Sequence, residues 1–226
     1  MLDLIFPKEV ITVTTPLDGN MISGALYSEE EKLISRAAKK RKIEFTAGRL
    51  CSREALKQLG IKQFPILIGN AREPLWPAQI TGSISHCDDY CGAALAHQKD
   101  FRSIGLDIES ITPLESEVLN AICTPAEQEW SNCTPPPPDS NWPKIIFSMK
   151  ECVYKCLFPL IQTFIDFHQV SIKIDPTTMR FSAHLEKELL FPYGIHTPLI
   201  GRFGYNSQHI FTGMVIKQKK PPVKRP

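Results

Sequence analysis

Asp107 and Glu109 stand two apart in the run Ser103 to Ser110, where Ile104, Leu106 and Ile108 alternate with Gly105, Asp107 and Glu109. A period of two belongs to a strand with one buried face. It sets the two carboxylates side by side on the opposite face, about 6 to 7 Å apart along the strand. Carboxylates held that close repel unless a proton or a cation lies between them. The plainer alternative is an amphipathic strand with a solvated acidic edge. In either case the apolar face carries the packing, so Asp107→Ala and Glu109→Ala should remove chemistry and leave the fold intact. Glu151 and Lys155 stand at i,i+4, either as a surface ion pair worth about 0.3 to 0.5 kcal/mol or as two groups facing different partners. Arg49 and Arg53 have the same spacing and stack like charges on one helix face, which costs a few tenths of a kcal/mol and points to an anion between them. Ser85-His86 lacks a nearby G-x-S-x-G elbow, so a serine hydrolase is a poor reading, and a turn with a satisfied histidine is the simple one.

The distribution of charge says more than its total. The net charge of +2 implies neither a nucleic-acid nor a membrane partner. Between Lys32 and Arg53, however, stand Lys32, Arg36, Lys39, Lys40, Arg41, Lys42, Arg49 and Arg53 against Glu44 and no other acid. Between Ser103 and Pro143 stand Asp107, Glu109, Glu115, Glu117, Glu127, Glu129 and Asp139, with no Lys or Arg. A basic segment followed by an acidic one suits a site that holds a polyanion together with a cation.

At 226 residues, 42% hydrophobic and 22% charged, the chain has the make-up of a globular protein able to bury a core as one domain or two small halves. Met1 to Glu9 lacks the features of a signal peptide, and no apolar run approaches a membrane span. Seven cysteines without an export signal point to reduced thiols in the cytoplasm. Cys87/Cys91 and Cys152/Cys156 have i,i+4 spacing, but no second C-x-x-C or His pair completes four zinc ligands, so buried free thiols are expected.

The elements that must position these groups follow from pattern. Val10, Ile11 and Val13 predict a short strand before an Asp18-Gly19 turn. Ser28 with Glu31 predicts a capping box opening one helix that runs to Leu59, stopped by Gly60. Phe64 to Ile68 predicts a strand, and Gly69 to Pro77 a proline-stiffened loop carrying Arg72. Cys91 to His97 and the acidic strand, joined by Gln98 to Arg102, predict a hairpin that presents Ser85 and His86 beside Asp107. Thr124-Pro125-Ala126-Glu127 opens a helix, and Cys133 to Ser140, with prolines at 135–138, reads as an exposed stiff loop. Asn141 to Leu160 predicts a helix whose core face is Ile146, Met149, Val153 and Leu157. Strands follow at Val170 to Ile174, Phe181 to Leu185, Ile200 to Tyr205 and His209 to Ile216, without recognisable chemistry. Residues 217–226 read as a basic, proline-rich disordered tail. Helix-plus-strands before and after Asp107 predicts two similar α/β halves.

Five stretches in this order resemble the 4′-phosphopantetheinyl transferases of the surfactin type, most closely the enterobactin synthetase component D branch. They are E-F-T-A-G-R-L-C-S-R-E-A-L (44–56), A-R-E-P-L-W-P (71–77), G-S-I-S-H (82–86), I-G-L-D-I-E (104–109) and F-S-M-K-E-C-V-Y-K (147–155). The resemblance leaves outside it the proline loop, the C-D-D-Y-C segment after His86 and the C-terminal third. It implies an α/β (α+β) fold of two similar halves, here 1–103 and 104–216, with coenzyme A in the cleft between them. It also implies Mg²⁺-dependent transfer of phosphopantetheine from coenzyme A to a serine of an apo acyl, aryl or peptidyl carrier protein, by a cytoplasmic monomer serving nonribosomal peptide or siderophore synthesis.

By the same resemblance Asp107, Glu109 and Glu151 are the metal ligands. Glu151 takes the serine proton, directly or through a metal-bound water, and Lys155 steadies the leaving 3′,5′-ADP phosphate. Arg49, Arg53, Arg72, Ser85 and His86 contact phosphates and nucleotide, and Lys39 and Arg41 are further candidates. The rivals are a coenzyme A-binding module without turnover, a nucleic-acid binder using residues 32–53, and a metal-dependent phosphohydrolase. The intact carboxylates argue against the first, and the acidic middle and lack of interleaved aromatics against the second.

Overall fold

Amphipathic helices and alternating strands of this length must bury one face each, and the chain does so around two sheets. The computed structural model describes residues 1–17 and 25–218. In chain order the elements are α1 (Leu2–Ile5), β1 (Ile11–Pro16), α2 (Ser28–Ile34), α3 (Lys39–Gln58), β2 (Leu67–Ile68), β3 (Pro74–Leu75), β4 (Ile80–His86), β5 (Tyr90–His97) and β6 (Phe101–Ser110). They continue with α4 (Ser116–Ile122), α5 (Pro125–Cys133), α6 (Trp142–Ile161), β7 (Ser171–Asp175), β8 (Arg180–His184), α7 (Lys187–Leu190), β9 (Leu199–Tyr205) and β10 (His209–Lys217).

The first half is a three-stranded antiparallel sheet, β1-β5-β4, covered by α3. Its core holds Cys51, Ala55, Leu56, Ile66, Ile80, Ala93 and Leu95. The second is a five-stranded antiparallel sheet, β6-β10-β9-β8-β7, covered by α6. Ile146, Met149, Val153 and Leu157 of α6 lie in its core as their spacing predicts. A third cluster joins the halves: Leu2, Ile5 and Phe6 from α1 and its end pack on Ala94 and Ala96 of β5, Ile104, Leu106 and Ile108 of β6, and Phe211 of β10. Among the described residues no helix is long and apolar enough to cross a membrane.

Several local predictions give way to tertiary context. The single helix expected over 28–59 is two, α2 and α3, separated at Ser35–Ala38. Glu30, not Glu31, reaches back to the start of α2, accepting from the Tyr27 N–H at 3.0 Å. The break lets that fully buried carboxylate point under α3. The strand expected over 64–68 shrinks to the two residues of β2, paired with β3. The hairpin of β5 with β6 does not form, because both edges of β5 are taken by β1 and β4, and β6 pairs instead with β10. Lys217, assigned to the tail, closes β10 opposite Phe101. The rest of that tail beyond Gln218, and the Asp18-Gly19 turn, lie outside the described residues. Thr124 and Glu127 make the expected reciprocal cap of α5, at 3.3 and 2.7 Å.

The seam between the halves is unusual. β4 runs against β6, yet the hydroxyls of Ser83 and Ser85 take the places of backbone acceptors, receiving the Leu106 and Ile108 N–H groups at 3.1 Å each. β6 is therefore buried on both faces, its apolar side chains in the joining cluster and Ser103, Gly105 and Asp107 beneath α6. Gly105 is required there. A Cβ on it would collide with the Cys152 carbonyl oxygen and lie 2.8 Å from the Cys156 Cβ. Gly105→Ala must push α6 off the strand, and a loss of about 3 kcal/mol or more is expected in denaturant unfolding; an unchanged midpoint would refute this packing.

Candidate active site

The buried face of β6 delivers Asp107 to the base of α6, and the carboxylate is only 2% exposed. Its Oδ1 accepts from Lys155 Nζ at 2.6 Å and from Ser85 Oγ at 3.0 Å, and its Oδ2 accepts from Ser148 Oγ at 2.8 Å. Lys155 also donates to Ser85 Oγ at 3.0 Å. Thr212, opposite Asp107 on β10, lies 3.0 Å from Ser148 Oγ and donates to the Ser148 carbonyl. So the side chain read from alternation as facing solvent is buried and fully partnered. Asp107→Ala, expected from the sequence to spare the fold, will not do so.

Glu109, one pleat further on, accepts from Lys144 Nζ of α6 at 2.6 Å. Burial and then the Asp107 charge push its carboxyl above the ordinary 4.5, against the pull of Lys144. Glu151 is also raised above 4.5, first by burial and then by Asp107, with Lys155 opposing. Glu151 makes no ion pair with Lys155, because that ammonium turns to Asp107. Burial lowers the Lys155 pKa, but the charge and hydrogen bond of Asp107 more than restore it, and it ends above 10.5. Three carboxylates thus share a half-buried region with two lysines, and two of the three are held against ionisation.

Lys155 has a second aspect. With Tyr154, Phe158, Pro159 and Gln162 of α6 it forms one wall of a cleft of about 390 Å³, whose other wall is the 71–76 loop and Thr81 to Ile84 of β4. Arg72 lies on that opposite wall. Its φ of 70° is left-handed, a conformation that an arginine takes only where a tight turn demands it. The loop is pinned by Trp76 Nε1 donating to the Gly82 carbonyl at 3.0 Å. Each half thus contributes a cation to one cleft.

The remaining predicted residues, His86, Arg49 and Arg53, do not line this cleft. His86 Nε2 is 3.1 Å from Arg41 Nη1. Burial first, then Arg41 and Lys155, lower its pKa against Glu44 and Asp107, so the ring is neutral and accepts from the guanidinium. Arg49 is buried; its Nε donates to the Ile66 carbonyl at 2.7 Å and its guanidinium lies 4.0 Å from the Phe45 ring centroid. Burial lowers its pKa to about 10. Arg53 donates to Glu30 at 2.9 Å and to the Ala25 carbonyl. The anion that the Arg49/Arg53 spacing calls for is present in the chain itself: Glu30, which also takes the Ile66 N–H at 2.9 Å.

Two comparisons with known proteins bear on this arrangement. Residues 29–96 match the 4′-phosphopantetheinyl transferase N-terminal domain family, and residues 103–195 match the 4′-phosphopantetheinyl transferase superfamily. The chain is 34% identical over 193 residues to 4′-phosphopantetheinyl transferase PptT of Mycobacterium tuberculosis, covering 83% of this chain and 85% of that protein. The chain belongs to the 4′-phosphopantetheinyl transferase family. It is also 38% identical over 161 residues to 4′-phosphopantetheinyl transferase Svp of Streptomyces mobaraensis, 71% of this chain and 65% of that one. Enterobactin synthase component D of Escherichia coli matches at 42% over 98 residues, 42% of this chain and 45% of its own length.

Within this family member, the sequence reading missed Ser148, Lys144, Thr212 and Glu30. Ser148 and Lys144 lie three and seven residues before Glu151 on α6, so helical phase was the signal available for both. Thr212 carried none, since its role depends on the register of β10 against β6. Removing the Asp107 carboxylate leaves the Lys155 ammonium and two hydroxyls without their acceptor. Asp107→Ala should therefore lose about 3 kcal/mol of stability. Glu151→Gln, which breaks no hydrogen bond among the described residues, should stay within about 0.5 kcal/mol. Urea unfolding checks both, and an Asp107→Ala variant as stable as the parent would contradict the buried network.

Proposed function

We propose that this protein transfers the 4′-phosphopantetheine group of coenzyme A to a serine of an apo acyl, aryl or peptidyl carrier protein and releases adenosine 3′,5′-bisphosphate. The observation that carries the reading is the cleft in which Arg72 of one half and Lys155 of the other face a common space beside three carboxylates. A single chain supplies both walls, so a monomer suffices. The two working halves are taken at 1–103 and 104–216, a division that falls within β6, which starts at Phe101. The match to enterobactin synthase component D supports the surfactin type, the enterobactin branch and a carrier from siderophore or other nonribosomal peptide synthesis.

The donor set suits Mg²⁺, since all three groups are hard carboxylate oxygens, and burial first, then the Asp107 charge, leaves Glu109 and Glu151 reluctant to ionise without a cation. Asp107, Glu109 and Glu151 would hold the ion, which supplies charge neutralisation at the pyrophosphate. The chain's own residues do the rest. Arg72 binds phosphate, while Arg49 and Arg53, expected among the phosphate contacts, are engaged by the Ile66 carbonyl and by Glu30; Ser85 and neutral His86 orient the nucleotide side. Glu151, with its raised pKa, accepts the proton of the carrier serine. The serine oxygen then bonds to the phosphorus bearing pantetheine as that phosphorus loses its bridging oxygen to the departing bisphosphate. Lys155 donates to the charge growing there, an interaction worth most in the transition state.

Mass spectrometry of an apo carrier incubated with coenzyme A, Mg²⁺ and this protein tests the whole reading. Binding without modification would favour a coenzyme A module, and inorganic phosphate without modification a hydrolase. Glu151→Gln and Lys155→Ala should each lower kcat by orders of magnitude. Arg72→Ala should weaken coenzyme A by about 1.5 to 3 kcal/mol and its 3′-dephospho analogue far less. Equal losses would take Arg72 away from the 3′-phosphate.

The raised carboxyls also set a pH dependence. Above 4.5 the unfolded chain has released protons that the folded Glu109 and Glu151 still hold, so stability falls as pH rises through their folded values. Mg²⁺ held by the ionised carboxylates would oppose that fall. Its effect on Tm should therefore be larger near about pH 8 than near about pH 5, and a shift independent of pH would place the ion elsewhere.

A further inference from the structure

At the tip of the β4–β5 hairpin, Cys87 and Asp89 meet His209 of β10, residues that the transfer chemistry leaves unused. Among the described residues, these three form the only group of ligand-type side chains whose donor atoms all lie within 4.8 Å of one another. Asp89 Oδ1 is 2.9 Å from His209 Nε2 and 3.4 Å from Cys87 Sγ. Around a tetrahedral zinc ion, neighbouring N, O and S ligands stand about 3.3 to 3.7 Å apart, so the group is already close to such spacing.

The histidine is held as a ligand must be. Its side chain is 6% exposed, its ring stacks on Tyr90 at 4.8 Å between centroids, and Phe211 packs at 6.0 Å. Tyr90 is itself anchored by its hydroxyl on Thr14 at 2.9 Å. The packing fixes the ring plane and turns Nε2 toward the hairpin tip. The hairpin side is equally defined. Cys87 N–H donates to the Tyr90 carbonyl at 2.9 Å, and the Asp89 carbonyl receives the Leu17 N–H at 2.8 Å. The i,i+4 partner that spacing offered to Cys87 is not used, for Cys91 is buried against Cys51 of α3.

An ordinary histidine–aspartate pair takes in two of the three groups, and the Cys87 thiol, aimed at the same Asp89 oxygen, adds a third ligand-type atom beside them. One thiol, one imidazole and one carboxylate make a mixed soft and borderline set, which selects zinc over magnesium or calcium. We propose that Cys87, Asp89 and His209 form a Zn²⁺ site that clamps the β4–β5 hairpin to β10. The thiol loses its proton to solvent on binding, and the fourth position is left to water or an exogenous ligand. Because His86 immediately precedes Cys87, the ion fixes the C-terminal end of β4. The site stands independently of the transferase reading.

The test uses the full chain in a Cys133→Ser background, which removes the exposed thiol. The reduced, metal-stripped protein is titrated with Co²⁺ as a spectroscopic probe and then with Zn²⁺. One equivalent of Co²⁺ should give a thiolate-to-cobalt charge-transfer band and the intense visible bands of a tetrahedral ion, both abolished by Zn²⁺ and unaffected by excess Mg²⁺. Cys87→Ser should remove the charge-transfer band, and it and Asp89→Asn should each weaken Zn²⁺ at least about 10-fold. Asp89 is exposed and Cys87 sits only at the edge of the joining cluster, where serine keeps its shape, so these variants stay folded and the buried His209 is left untouched. Absence of the thiolate band, or Zn²⁺ affinity unchanged in Cys87→Ser, overturns the site.

Discussion

A buried carboxylate ringed by donors organises this molecule. Asp107 is taken out of water by β6 and α6, and the desolvation is tolerable only because every side of it meets a donor. Those donors come from β4 (Ser85) and from α6 (Ser148 and Lys155), with Thr212 of β10 holding Ser148 in place. One anion therefore fixes the relative position of both halves at the point where they form a cleft. The ammonium that neutralises it is the same group that lines the cleft, so packing and chemistry share a residue.

The same logic operates twice more. Glu30 sits fully buried between α2 and α3, answered by Arg53, the Ile66 N–H and the Tyr27 N–H. Glu127 and Lys150 make a fully buried pair at 2.8 Å, with Lys150 also donating to the Ile122 and Phe167 carbonyls. Removing either member of such a pair costs far more than the pair contributes over an apolar replacement. Much of the basic run from Lys32 to Arg53 is likewise engaged internally: Lys40 with Asp88, Arg41 with Glu44 and His86, Arg53 with Glu30. Half of a block of cations in sequence becomes, once folded, a set of individually partnered groups.

Wherever one period or one cap decides the matter, the sequence was legible. The core face of α6, the cap of α5, the four strands after Pro159 and the division into helix-covered halves all follow from local pattern. Pattern could not say which edge of β5 was already occupied, and so it paired β5 with β6. Nor could it tell a solvated polar face from one roofed by a helix, because Asp107 and Glu109 look the same at a period of two whatever lies above them. The site was readable as residue types at suggestive spacing. Its wiring, Lys155 to Asp107 rather than to Glu151, rests on contacts separated by 48 positions, and no local rule encodes those.

The placement of α1 has a consequence for how the chain comes together. Ile5 and Phe6 fill the space over Gly213, with Phe6 Cζ 2.6 Å from where a Cβ there would sit, and Arg202 donates to the Leu4 carbonyl. An early segment of these residues, α1 and its end, is thus seated on β10, the last strand among the described residues. The cluster joining the halves cannot close until β10 has emerged, and loop closure over nearly the whole chain enters its formation. Until then β5 and β6 hold their apolar faces without a lid. During synthesis the interval between finishing β6 and finishing β10 is the stretch in which this chain is most open to a chaperone or to a wrong neighbour.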